Sequence, residues 1–364
     1  MPSILQTLIK DRDNADFVKV HDGLLGVLPD GHMIAERLIT GHTPLFRIGY
    51  NPAITTTEED LWSNGGKYVW PTAEMGMEVV SDNNTQDVGT VIKGDETGDT
   101  VTSDADGTTT TLEDDSVSFT AATAVAAGDL VILDPHGDVP EFGFVTAVAI
   151  HTLTIAGGFS EGGSGASRKY AVVDMSASTN AQVVQISYLD ADYVQHKEIV
   201  VLNGTTAVAT VNTDMFRINQ FAVIGAGSNG QALGNLDLRH LDDTPVYAHI
   251  TAGYTIARQL IFTVPAGVTG YITQADVAAA APNDTKVQTA RIIVRTNTSP
   301  NETFKTALFY PKSEVVVSNE NVGVEYGIPL RILEKSDFIV SAQGFTGYDG
   351  PVTGVFRGYL SVND

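Results

Sequence analysis

Cysteine is absent from all 364 residues, so neither a disulfide framework nor a thiolate metal site can hold this chain together. Stability must come from burial, hydrogen bonding or assembly. Basic residues are scarce: 21 Lys and Arg stand against 44 Asp and Glu, a net charge of −23. A field of that sign repels phosphate backbones and anionic lipid, so neither nucleic acid nor a membrane is expected as a partner. No apolar run approaches the ~18 residues of a membrane span. Met1 to Asp13 also lacks the basic start and unbroken apolar core of a signal peptide, and the expectation is a soluble product of the cytoplasm. Helical periodicity is nearly missing. It is confined to residues 3–10, where Ser3 can cap and Ile4, Leu5, Leu8 and Ile9 form one apolar stripe, suited to docking on the chain's own body or on a neighbouring subunit.

What the chain has in abundance is strand and turn. From about residue 65 onward, short runs rich in Val, Ile, Thr, Tyr and Phe alternate with Gly, Asn and Asp. Residues 11–60 run through Asp22-Gly23, Pro29-Asp30-Gly31 and Asn51-Pro52 turns with little periodicity, which reads as an extended arm. Strands begin at Gly66–Trp70 and Met77–Val80 and resume at Ala181–Tyr188, Lys197–Leu202 and Met215–Ile224. The block between differs in composition, so one β-domain is interrupted by another. Five short strands in the block, with turn signals about every eight to twelve residues, predict a small barrel or sandwich. Residues 94–175 hold fourteen Asp and Glu against Arg168 and Lys169, a net charge of −12, which marks this insert as the most solvent-exposed lobe. From His249 onward, seven or more strands are enough for a complete antiparallel sandwich.

The expected fold class is therefore all-β: antiparallel, jelly-roll-like sandwiches in several domains, with an inserted small β-barrel and an extended N-terminal arm. The expected boundaries are 1–60 for the arm, 61–93 with 178–248 for a discontinuous sandwich, 94–177 for the acidic insert and 249–364 for the C-terminal sandwich.

Few motifs carry chemistry. Gly225-Ala226-Gly227-Ser228-Asn229-Gly230 matches the dinucleotide fingerprint and follows a strand, but Leu233-Gly234-Asn235-Leu236-Asp237-Leu238 alternates like a strand where a helix is required. A glycine-rich hairpin is the better reading. Asp104-Ala105-Asp106-Gly107 lacks the spacing of an EF-hand; an irregular calcium site among Asp95, Asp99, Asp104 and Asp106 is the weaker alternative to a Thr/Asp-rich hairpin tip. The eight histidines are scattered, no nucleophile elbow occurs, and accidental carboxylate pairs are expected among so many acids. No cofactor and no catalytic residue is assigned. Five N-x-S/T triplets mark surface turns. Trp62 and Trp70 bracket Gly65-Gly66 as core anchors or interface aromatics, and Trp62 is retained as a partner-contact candidate with Ile4, Leu5, Leu8 and Ile9.

Three stretches resemble virion structural proteins of tailed bacteriophages, in particular accessory capsid proteins of marine phages. They are Gly41–Pro44 through Gly49–Pro52 to Glu59–Trp62 and Gly65–Tyr68; Val200–Thr206 with Phe216–Asn219; and Thr263–Gly267 and Gly270–Thr273 with Pro329–Ile332, Lys335–Asp337 and Phe356–Leu360. The resemblance leaves out the acidic insert. It implies a non-enzymatic, β-rich virion component in many copies: a capsid decoration or cement protein binding the major capsid protein or other virion proteins, with a homotrimer favoured. The rival reading is a tail, baseplate or fibre component that recognises host-surface glycan, to which Tyr348 or Tyr359 would belong. An enzyme such as a polysaccharide depolymerase ranks last, because the repeated solenoid pattern of many such enzymes is missing.

Overall fold

The computed structural model describes residues 41–94, 107–121, 123–137, 139–159, 168–279, 289–296, 310–318, 321–345 and 348–363. Every regular element among them is a β-strand, and all strand pairs are antiparallel. The all-β, multi-sheet reading of the sequence holds. The apolar stripe Ile4, Leu5, Leu8 and Ile9, and Asp95, Asp99, Asp104 and Asp106, lie outside the described residues.

The C-terminal sandwich is built from both ends of the chain. One sheet runs in the order His42–Ile54, Gly350–Val362, Val268–Ala279, Asn321–Ile332. The other runs Ile261–Thr263, Asp337–Gly344, Thr289–Thr296, Tyr310–Ser318, with Glu59–Asp60 laid beside Asp337–Gly344. Leu45, Ile272, Val277, Val294, Val340 and Phe356 fill the space between them. Residues 42–54 are thus a thirteen-residue strand, which corrects the reading of an arm extending to residue 60. Pro44 and Pro52 are tolerated there because the strand lies at the sheet edge, where a missing N–H breaks no ladder. Gly49 and Gly354 face each other across this pair. A Cβ on Gly49 would lie 2.5 Å from Leu260 Cγ and 2.8 Å from the Leu61 carbonyl, so the sheets close only over bare backbone here.

A second sandwich packs Gln195–Val201, Ala181–Leu189 and Arg217–Ala226 against Val208–Ala209, Met77–Ser81, Leu236–His240 and Val246–Ile250, around Met77, Val184, Ile186, Phe221, Leu236 and Leu238. The glycine-rich segment after Arg217–Ala226 leads to Leu236–His240, a strand of the opposite sheet. It is therefore a crossover between sheets, neither a hairpin nor a nucleotide loop. Gly234 is required because its Cβ would lie 2.8 Å from the Asn83 backbone nitrogen.

The insert is a six-stranded sheet in the order Val91–Gly94, Tyr170–Val173, Leu130–Leu133, Glu141–Val148, Thr152–Ile155, Thr111–Glu113. Its two edge strands do not pair with each other, so it is an open curled sheet and the closed barrel is not formed. Nor is it a lobe projecting freely. Val131, Leu133, Tyr170 and Val172 point into the insert's own core, while Leu130, Ile132 and Val173 pack on Val183, Ile199 and Val201 of the second sandwich. Each fully buried side chain of this kind contributes roughly 1.5–3 kcal/mol. A register shift around Gln182–Val183 turns Val183 out to the insert while Ala181 and Val184 stay in their own core.

The two sandwiches are joined by apolar and polar contacts. Trp62, Tyr68, Ile261 and Ile339 form one cluster against Val246 of the second sandwich, and Leu189, Tyr193 and Phe216 form another against Ala266. Asn219 exchanges two 2.9 Å hydrogen bonds with the Thr263 backbone, its Nδ2 donating to the carbonyl and its Oδ1 accepting from the amide. Arg217 reaches across to Asp337, and both are essentially inaccessible to solvent.

Candidate functional site

The outer face of the end-to-end sheet is the surface with most to offer a partner. In the paired register, Pro44, Phe46 and Ile48 stand opposite Tyr359, Arg357 and Val355, and Tyr359, Arg357 and Val355 stand opposite Tyr271, Gln274 and Asp276. All point away from the core because strand side chains alternate between faces and Leu45, Phe356 and Ala275 point inward. Phe46 is 55% exposed, and Ile328, at the register irregularity in Asn321–Ile332, is 87% exposed. Among the described residues, little packs on an isoleucine exposed to that extent.

At one end of this face the rings converge. Tyr271 and Tyr359 stack at 5.1 Å with 25° between planes, and His42 tilts against Tyr359 at 5.5 Å. They adjoin an open cavity of about 440 Å³ lined by Thr269, Tyr271, Arg331, Glu334, Ser361 and Asn363. Thr269 Oγ1 donates to Asn363 Oδ1 at 2.6 Å, and Glu334 Oε2 accepts from the Gly267 amide at 2.7 Å. Arg357 lies along the same face, donating to Gln274 Oε1 at 3.2 Å and standing 3.8 Å from Asp276. Aromatic faces beside mixed donors and acceptors suit a ligand with both apolar and hydroxyl surfaces.

The sequence-stated candidates fare differently. Tyr359 belongs to this cluster. Tyr348 does not: it is buried, its hydroxyl donates to the Pro351 carbonyl at 3.0 Å, and burial pushes that hydroxyl up to about 12. Trp62 is also buried, edge-on to Tyr68 at 5.2 Å with Nε1 donating to the Gly66 carbonyl. Its ring sits in a cluster with Tyr68, Ile261 and Ile339, against which Val246 of the second sandwich packs, so Trp62 is taken up by the chain's own packing. Tyr271 and His42 escaped sequence reasoning because only the register of strands distant in sequence brings them to Tyr359.

Among the described residues no three His, Asp or Glu side chains group as metal ligands. His136, His196 and His249 rest on the carboxylates of Glu198, Asp190 and Asp237. Buried Asp87 is likewise structural, accepting from Ser81 Oγ and from the amides of Leu233 and Gly234. No protein-family model matches the chain, and no curated protein sequence matches it significantly.

Proposed function

We propose that this chain is a non-enzymatic structural subunit of a tailed-phage virion, a decoration protein that binds and stabilises the head shell after synthesis in the host cytoplasm. The observation that carries the reading is the exposed Phe46 on the outer sheet face, with half-buried Ile48 and Val355 beside it, together with the exposed Ile328 on the irregular stretch of the same sheet, apolar side chains that gain by being covered. Three β-lobes packed through buried interfaces give such a subunit a rigid body, and its strong negative charge keeps free copies apart before assembly. The virion assignment itself comes from the sequence resemblance, as does the trimer, which would place three such faces around a threefold position.

The test is co-sedimentation with shells assembled from the major capsid protein, together with electron cryomicroscopy of the virion. Binding by the native chain, lost in a Phe46→Asp/Ile328→Asp double variant that still melts cooperatively, is the expected result. Density confined to the tail would overturn it and favour the second reading, a tail or fibre component that holds host glycan. The Tyr271–Tyr359 stack beside a polar cavity is the feature that favours that reading.

A further inference from the structure

A chain without cysteine has no disulfide to staple it, yet one loop sets an amine against a buried carboxyl. Residues 60–68 turn back on themselves: the Asp60 amide donates to the Gly66 carbonyl at 2.9 Å, and the Tyr68 amide donates to Asp60 Oδ2 at 2.7 Å. Gly65 and Gly66 permit this return, with φ of 75° and 68°. Lys67 lies between those two bonded groups and is held beside Asp60 from both sides. Its Nζ stands 3.3 Å from Asp60 Oδ1 and 2.6 Å from Glu58 Oε1. The Asp60 side chain is 4% exposed and that of Lys67 52%, so the amine meets a fixed carboxyl from the solvent side.

The surroundings of that carboxyl suit attack at its carbon. Oδ1 accepts from Ser341 Oγ at 2.7 Å and Oδ2 from the Tyr68 amide, donors that stabilise negative charge building on these oxygens. Burial pushes the Asp60 carboxyl up, while Lys67 and the hydrogen bonds pull against that shift. The neutral acid, which carries a hydroxyl able to leave, is the form that burial favours. Glu58 supplies a second carboxylate in contact with the amine. Arg295 contacts both Glu58 oxygens and also donates to Ser341 Oγ at 3.2 Å. One guanidinium thus orders both the group that touches the amine and a group that polarises the carboxyl.

We propose that Lys67 and Asp60 join through an intramolecular amide bond between Nζ and Cγ, with Glu58 as the proton carrier. A proton passes from the Lys67 ammonium to the Asp60 carboxylate, and the freed amine attacks Cγ. Glu58 takes a proton from the nitrogen of the tetrahedral intermediate and returns it to the departing hydroxyl, which leaves as water. Ammonium and carboxylate give amide and water, so no oxidant, cofactor or external donor enters. In the product Glu58 keeps its Arg295 contacts, and a covalent ring over residues 60–67 is fixed beside Asp337–Gly344, where Asp60 pairs with Ser341. The inference does not depend on the virion reading.

Intact-mass spectrometry of the full chain, sampled from synthesis onward at neutral pH, reads the bond directly. The expected native mass settles one water below that of the sequence, trypsin no longer cuts after Lys67, and fragmentation of the peptide yields no backbone ions between residues 60 and 67. Lys67→Arg keeps the charge and is expected at full mass, while Glu58→Gln should form the bond about 100-fold more slowly. Cooperative melting of both variants checks that they fold. A native chain that stays at full mass and is cut after Lys67 would show an ion pair only and overturn the inference. So would a lost water that maps elsewhere or persists in Lys67→Arg, or a Glu58→Gln chain that forms the bond as fast as the native one.

Discussion

The Arg217 guanidinium grips the Asp337 carboxylate in two parallel contacts, Nε to Oδ1 at 3.0 Å and Nη2 to Oδ2 at 3.3 Å, across the junction of two sandwiches. Arg217 Nη1 donates to the Pro71 carbonyl at 2.8 Å, its charge lies 3.9 Å from the Phe216 ring, and Thr263 Oγ1 donates to Asp337. Burial pushes the Asp337 carboxyl up, and Arg217 pulls against that shift. Removing one partner strands the other charge in the interior. Arg217→Met is therefore expected to cost about 3–5 kcal/mol in denaturant unfolding, while Arg217→Met combined with Asp337→Leu recovers a large part of the loss. A double variant as unstable as the single one would show that the pair acts through shape, not charge.

Acid sensitivity should centre on Glu58. Arg295 contacts both of its carboxylate oxygens and Lys67 lies 2.6 Å away, which together hold its carboxyl down from the ordinary 4.5 to about 2. A depressed carboxyl stabilises the folded state above its unfolded value, and that contribution fades as pH falls from 4.5 through 2. Urea midpoints measured across this window should fall with a shallower slope in Arg295→Gln than in the native chain. Identical slopes would remove Glu58 from the account.

The Gly49–Gly354 contact makes a graded prediction. Gly49→Ala places its methyl against the Leu61 backbone carbonyl as well as Leu260, and should cost about 1–3 kcal/mol. Gly354→Ala meets chiefly the movable end of Leu260, at 2.8 Å, and should cost less. Calorimetric melting of the two variants side by side reads the order directly.

Docking of the insert rests on side chains that an isolated domain would expose. Ile132→Ala, in the buried patch against Val183 and Ile199, should lose about 2–5 kcal/mol. Phe144→Ala, on the same sheet but 42% exposed, should stay within about 0.5 kcal/mol of the native chain. Chemical denaturation of both measures the difference.

Much of this architecture is legible in the sequence, and its omissions have physical causes. Alternation in Met77–Ser81 and β-branched runs such as Gln195–Val201 give the strands away. The unbroken apolar runs Leu130–Leu133 and Tyr170–Val173 carry the sign of a sheet covered on both faces. The composition of the insert, dominated by its acids, hides that sign. His42–Ile54 reads as an arm because its prolines and Asn51 look like turn chemistry and because its partner strand lies at the far end of the chain. The aromatic cluster is hidden for the same reason: His42, Tyr271 and Tyr359 are unremarkable until two strand registers align them.

That pairing of Gly350–Val362 with His42–Ile54 also sets an order of events during synthesis. Among the described residues, the cores of the second sandwich and the insert use none beyond 257, so they can fold while the ribosome is still reading the C-terminal third. Residues 42–54 emerge early and must wait for their neighbour strand to be made last. A message cut short before codon 350 would thus yield two well-formed lobes trailing an orphaned strand, and such a product is expected to be sticky where the finished protein is closed.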